Sequence, residues 1–455
     1  MNQYVNKPVT LARFWFLSWP LVLMSLSTIS MNAIDALILS RLSVNAFNAV
    51  SGATAYLQWV QQPFIMLILG AQIFSGIRLK KHQSLMKHAQ PLIQMMLITT
   101  VLAIPLGLFC AYFFPQLVFE GYNNHIMSDL VGRYFNIIVL FTWLVPLSAG
   151  FAGIFHSQGS TGLVSICYVI CQILNAGLNV VLIWGVQGVI PSMGVAGAAY
   201  ATVCSQFVFC VTLGVIAYRQ SNGTIFNSLY QMERSLIRIS FEYGLGMFLR
   251  KIVGSTFFMM SAHLIYSMDS KGYILIYSLG SWLTRILHPF AKSIEDGLKI
   301  YFSALVGAGR FKCVYVLIRH AMTIITIASI SVFLMMLSFR DLAFWWFEIH
   351  EGLLTEANVV WMIIPVWFFV VECVKIPSAL LTVMKDNLFL TVSAAFDSIF
   401  MLYVPIYVCT QYYPANPELI WLSIALGVVI NGVMRGVRLR YKLSEKPYES
   451  VFKKK

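Results

Sequence analysis

The chain has 455 residues, 59% of them hydrophobic and only 11% charged, which excludes an ordinary soluble globular protein. Its formal net charge is +13, but the basic residues collect in alternate loops between apolar runs. That pattern belongs to a membrane topology and argues against nucleic-acid binding.

Twelve apolar runs follow one another: 14–40, 53–76, 91–114, 130–155, 162–185, 194–218, 239–266, 273–306, 314–338, 359–384, 388–409 and 419–437. Each approaches or exceeds the roughly twenty residues that cross a hydrocarbon core as a helix. Arg13 precedes the first run, Arg78 and Lys87 follow the second, and Arg219, Arg234 and Arg238 follow the sixth. Arg310 and Lys312 follow the eighth, Lys385 the tenth, and Arg438, Arg440, Lys442 and the Lys453 to Lys455 tail follow the last. The intervening loops carry Glu120, Asp129, Asp269, Asp341, Glu351 and Glu418. Positive charge marks the cytoplasmic side, so both termini are expected there and the number of spans is even. The first run contains Asp35 and lacks a small-x-small cleavage site, so it reads as a retained helix.

The polar stretch 219–238 divides the chain into equal parts: an N-terminal six-helix lobe at 1–218, a cytoplasmic linker, a C-terminal lobe at 239–438 and a basic tail at 439–455. Both lobes begin on the cytoplasmic side, so they form a parallel repeat about a pseudo-two-fold axis along the membrane normal. The expected fold is all-α and integral to the membrane, with twelve transmembrane helices in two lobes. The substrate site is expected in a cavity between the lobes, and a monomer suffices for it.

Ionisable and amide groups inside the spans are the candidates for function, because hydrocarbon penalises them unless they face water or a partner. Asp35 lies deep in the first span and is a candidate for proton exchange. Asn175 and Asn179 are four residues apart on one face of the fifth. With Asp35 they make a hard oxygen set suited to Na⁺ or to relaying a proton; alone they serve equally well as interhelical glue. The second half is richer in charge: Arg250 and Lys251, then Arg285, Lys292, Glu295, Asp296 and Lys299, then Glu372, Lys375 and Asp397. Spacing suggests neutralising pairs Glu295 with Lys299 and Glu372 with Lys375. Arg250 has no acid at helical spacing, so its partner must come from another helix, an anion or the substrate. Pro20, Pro289 and Pro377 are candidate bending points, and His263 and His288 titrate near neutrality when unperturbed. Trp345, Trp346, Tyr412, Tyr413 and Trp421 read as interfacial aromatics. The eight cysteines are scattered; Cys167 and Cys171 are one turn apart without partners at metal-ligand spacing. No cofactor, metal centre or nucleophile motif is expected, and hence no enzyme.

Five stretches carry a family resemblance: Pro20 to Asp35, Gln158-Gly159-Ser160-Thr161, Asn175 to Asn179, Met193 to Thr202, and Leu305 to Arg310. In order and spacing the sequence resembles the multidrug and toxic compound extrusion (MATE) family of the multidrug, oligosaccharidyl-lipid and polysaccharide (MOP) exporter superfamily. The resemblance implies two lobes forming a V and a secondary antiporter. It would export small organic compounds by alternating access in exchange for H⁺ or Na⁺, across a bacterial cytoplasmic (inner) membrane. It implies ion coupling at Asp35, Asn175 and Asn179, and places Arg250, Lys251, Glu372 and Lys375 at the substrate cavity. Where the family carries an acid in the seventh helix this chain has Arg250. That makes an anionic substrate credible, and with it the alternative of a flippase or exporter for an anionic or lipid-linked molecule.

Overall fold

The computed structural model describes residues 8–79, 85–115, 125–224, 232–266, 271–346, 349, 351–413 and 416–444. Glu120, Asp269, the tail from residue 445 and the side chains of His263, Arg285 and Trp346 lie outside the described residues. Helices make up the rest of the architecture, and no strand occurs among the described residues.

In chain order they are α1 (Leu11–Leu42), α2 (Val44–Arg78), α3 (Leu85–Phe114), α4 (His125–Leu140), α5 (Leu144–Ser157), α6 (Thr161–Trp184) and α7 (Val195–Gln220). Then come α8 (Arg234–Tyr266), α9 (Lys271–Gly307), α10 (Val314–Trp346), α11 (Leu354–Val383), α12 (Asn387–Phe396), α13 (Val404–Tyr412) and α14 (Glu418–Ser444). A π-helical segment, Asp397–Tyr403, runs between α12 and α13. Pro405 follows it, and the amide hydrogen that proline lacks is one cause of such a disturbance in the hydrogen-bond ladder.

By length and apolar composition nine stretches among the described residues can cross a membrane, and α4 with α5, bent by 51°, makes a tenth as one broken span. The rods α8 and α9, 33 and 37 residues long, complete the expected twelve. They fall short on composition alone because they carry Arg250, Lys251, Lys292, Glu295, Asp296 and Lys299 at mid-helix. Charge on these two spans is itself a pointer to function.

The polarity of the bundle is inverted relative to a soluble protein. On α6 the exposed face carries Ile166, Ile170 and Ile173 at helical spacing, while Thr161, Ser165, Asn175 and Asn179 are buried on the opposite face. Apolar surface costs nothing against lipid, whereas a polar side chain must find partners inside the bundle. Small residues then bring helices together. A Cβ on Gly197 of α7 would lie 2.6 Å from the Leu182 carbonyl carbon on α6, and one on Gly70 of α2 would lie 2.6 Å from Gly244 Cα on α8.

The chain forms two compact units. The first comprises Leu23–Phe248 and the second joins Asn2–Val22 to Leu249–Lys455, so α1 and α8 each contribute to both. In the first unit one core packs Leu39, Ala49, Phe135, Ile183 and Ala199; another packs Ile68, Leu92, Phe155 and Leu213. In the second, Leu279, Ile364, Phe368, Ile406 and Trp421 form the core. Trp421, read from the sequence as interfacial, is buried there, stacked on Tyr277 with ring centres 5.9 Å apart. Gly280 admits its indole, because a Cβ at that position would collide with the ring. Pro20, Pro289 and Pro377 lie inside unbroken helices; the sharp bend falls instead at Phe141–Trp143, between α4 and α5.

Candidate functional site

Two polar clusters stand out, one in each unit. In the first unit Asn179 of α6 donates from Nδ2 to Asp35 Oδ1 of α1 at 2.5 Å. Asn175 and Asn179 are both buried, and Oδ1 of each lacks a hydrogen-bond partner among the described residues. One carboxylate and two unsatisfied amide oxygens therefore share one region.

Three more side chains complete this cluster. Tyr134 of α4 is buried close to Thr54 of α2 and Thr202 of α7, within the electrostatic reach of Asp35. Each threonine donates its own proton to a helix carbonyl, Thr54 to Val50 at 2.7 Å and Thr202 to Ala198 at 3.0 Å. The single Tyr134 proton can go to only one of them. Thr28 likewise donates to the Met24 carbonyl and takes the Tyr168 hydroxyl at 3.0 Å, which ties α1 to α6 below the acid. Tyr134, Thr54 and Thr202 are not evident in the sequence as a set, because a tyrosine and two threonines in apolar runs carry no spacing signal across three helices.

In the second unit Glu295 of α9 is the centre. Its Oε1 pairs with Lys299 at 2.8 Å and its Oε2 with Lys375 of α11 at 3.1 Å, while Lys299 also reaches Asp296 at 3.1 Å. The Glu295 to Lys299 pair is the one that spacing predicts. The predicted pairing of Glu372 with Lys375 does not form. Lys375 turns to Glu295, and Glu372, with no exposed surface, keeps both carboxylate oxygens without hydrogen-bond partners. The physical reason is that the partly open ammonium can reach the α9 acid, whose charge other cations already stabilise, whereas Glu372 faces the packed interior.

Arg250 of α8 finds its partner on another helix, donating from Nη2 to Thr382 Oγ1 of α11 at 3.3 Å. A further cation, Arg435 of α14, donates to Ser378 Oγ at 2.7 Å and Ser393 Oγ at 3.3 Å. It lies near Asp397, which is also close to Asn431. Arg435 lies inside the twelfth apolar run, 419–437, so a charge within a span, four residues after Asn431, is the signal that could have found it. Lys251, His288 and Lys292 are exposed on the same unit.

A cavity of about 380 Å³ also lies in the first unit, lined by Trp143, Phe151, Phe207, Cys210 and Tyr218 among others. It carries no ionisable group suited to ion coupling and is separate from Asp35. Among the described residues no group of three or more His, Cys, Asp or Glu side chains is arranged to hold a metal ion.

Comparisons with known proteins agree with this architecture. The MatE family model matches residues 20–181, which include Asp35, Tyr134, Asn175 and Asn179. No curated protein sequence matches the chain. Among solved structures, an outward-facing MATE family multidrug resistance transporter of the MOP superfamily superposes with a TM-score of 0.84 at 14% identity, over 97% of each chain. A MOP superfamily transporter from Pyrococcus furiosus, described by the reverse polarity of its binding pocket, does so at 0.84 and 14%, over 98% of each chain. A MATE protein in complex with MaD3S gives 0.83 at 16%, over 97% of this chain and 98% of the other. At such identities the structural likeness speaks for the fold. With a MatE family-model match over residues 20–181 and the fold of the MATE transporter structures along nearly its whole length, the chain carries a MatE domain in an all-helical fold whose described helices include nine long and apolar enough to cross a membrane.

Proposed function

We propose that this chain is a transporter of the MATE type, a secondary antiporter that exports a small organic compound and takes up H⁺ or Na⁺ in exchange. The observation that carries the reading is the meeting of Asp35 with Asn179 beside two buried, unsatisfied amide oxygens. A buried amide oxygen without a donor is costly, and a monovalent cation or a protonated acid supplies what Asn175 and Asn179 lack. Hard oxygen donors suit Na⁺; the Asp35 carboxyl and the Tyr134 hydroxyl suit a proton equally. Exchange follows if the ion and the substrate stabilise opposite-facing states, since each shifts the equilibrium only by its differential affinity.

The substrate cavity is assigned to Arg250, Lys251, Glu372 and Lys375 of the second lobe. The lobes are taken as 1–218 and 239–438, with a cytoplasmic linker between them and both termini in the cytoplasm of a bacterial cell. A single copy of the chain is taken as the working unit. The test is ion-driven efflux from proteoliposomes under separate H⁺ and Na⁺ gradients. Movement under one gradient alone names the coupling ion, and movement indifferent to both contradicts the antiport reading.

A second reading concerns the cargo. Arg250 and Lys251 occupy a region where an organic cation would be repelled at low dielectric. This favours an anionic substrate, soluble or lipid-linked, and accords with the reverse pocket polarity described for the Pyrococcus furiosus transporter.

A further inference from the structure

Lys251 on α8 and Lys292 on α9 lie in the central twenty residues of helices 33 and 37 residues long, the portion that ~30 Å of hydrocarbon encloses. Both side chains are exposed, as is His288. An ammonium does not stand against hydrocarbon, so this face meets water or a ligand.

The nearby acids are already engaged. Glu295 takes Lys299 and Lys375, Asp296 takes Lys299, and Asp397 lies with Arg435 and Asn431. Glu372 is wholly buried. Among the described residues neither Lys251 nor Lys292 forms an ion pair, although Glu295 and Asp296 follow Lys292 by three and four residues on α9. Lys251 lies within reach of Lys292 and Lys375. His288, one turn before Lys292 on the same face of α9, lies within reach of Lys251, Lys292, Lys375 and Glu295. Two helices thus bring like charges together at mid-membrane while the acids on the same unit are ion-paired to other lysines, which costs stability unless something anionic visits.

We propose that Lys251, His288 and Lys292 form the recognition face for a substrate that carries two negative charges, as two carboxylates or as one phosphate. The proposal rests on the export reading above and names its cargo. A monoanion would satisfy one lysine and leave the other exposed, and a cation would be repelled by both. Lysines act as separate point charges and not as planar forks, so they select for charge more than for the geometry of a single carboxylate.

Binding is measured on the purified full-length protein by calorimetry, with succinate, glycerol 3-phosphate, short-chain phosphatidic acid, acetate and tetraphenylphosphonium as probes. At least one dianion is expected to bind roughly tenfold tighter than acetate, a difference of about 1.4 kcal/mol, with no tetraphenylphosphonium bound. K251Q and K292Q should each weaken the dianion about tenfold, while K292R, which keeps the charge, retains it. Binding confined to phosphatidic acid with the same lysine dependence assigns the two charges to a lipid head group; binding of succinate or glycerol 3-phosphate assigns them to a soluble compound. Ion coupling is read separately, as gradient-driven transport by the unaltered protein, so a failure of ion coupling shows there and a failure of this proposal shows in the binding measurements. Tight tetraphenylphosphonium binding, no dianion bound, or dianion binding indifferent to both lysines would overturn it.

Discussion

Individual side chains in the second unit differ in what their loss should do. Glu295 accepts two lysines at 2.8 and 3.1 Å in a mostly buried setting. Replacing it with Gln leaves those charges short of a partner, and removing one member of a buried network costs about 3 kcal/mol. Glu372 has no hydrogen bond to lose, and its amide isostere should cost less than about 1 kcal/mol. Thermal unfolding in detergent should therefore separate Glu295→Gln, clearly lowered, from Glu372→Gln, nearly unchanged. Equal losses would mean that Glu372 has a partner in the folded protein. Asp35, Asn175, Asn179 and Glu295 are legible in the sequence because a charge or paired amides inside an apolar run break a rule that lipid enforces. Tyr134, Thr54 and Thr202 break no such rule; Arg435 does, since it falls inside the apolar run 419–437, two residues from its end.

The helices end and pack by local rules. After α5 the Ser160 amide bonds the Phe155 carbonyl and Gly159 bonds His156, both at 2.9 Å; after α9 Arg310 bonds Leu305 and Gly309 bonds Val306, at 2.9 and 3.0 Å. These are paired terminal bonds that need a left-handed residue, and Gly159 and Gly309 supply it with φ of 80° and 71°. The same two bonds close α11, but there Lys385 takes the left-handed position with φ of 60°. Lys385→Gly should raise stability by about 1 kcal/mol, read as a higher midpoint in thermal unfolding; a lowered midpoint would show that the lysine contributes more than its backbone costs. Gly70 and Gly244 make the opposite case. Gly70→Leu forces backbone against backbone where α2 crosses α8, and should destabilise by at least about 2 kcal/mol, seen as loss of monodisperse protein or a lower midpoint. Helix existence follows from the apolar runs, and the Gly-containing stretches mark two of the helix ends. The break between α4 and α5 is invisible in composition, because the run 130–155 carries no charge after Arg133 and stays mostly apolar across Phe141–Trp143.

The molecule as a whole is ordered by charge. Alternating basic and acidic loops predict a single orientation, with residues near 222 inside and those near 416 outside. With the native cysteines replaced by Ala, Asn416→Cys should react with a membrane-impermeant maleimide applied to intact cells, and Asn222→Cys should react only after permeabilisation. The reverse pattern would invert the proposed topology. Twelve spans are legible from sequence even though α8 and α9 are too polar to pass a composition test, because flanking loop charge and length support them. The division at Val22 and Phe248, inside α1 and α8, was not legible: the polar linker 219–238 marks where the chain is exposed, whereas the units are marked by which helix halves pack together.

The antiport reading requires that Asp35 link ion movement to substrate movement. Asp35→Asn should therefore abolish gradient-driven substrate transport in proteoliposomes while substrate-for-substrate counterflow continues, since the substrate groups in the second lobe remain intact. Gradient-driven transport that persists unchanged in Asp35→Asn would contradict that role for Asp35.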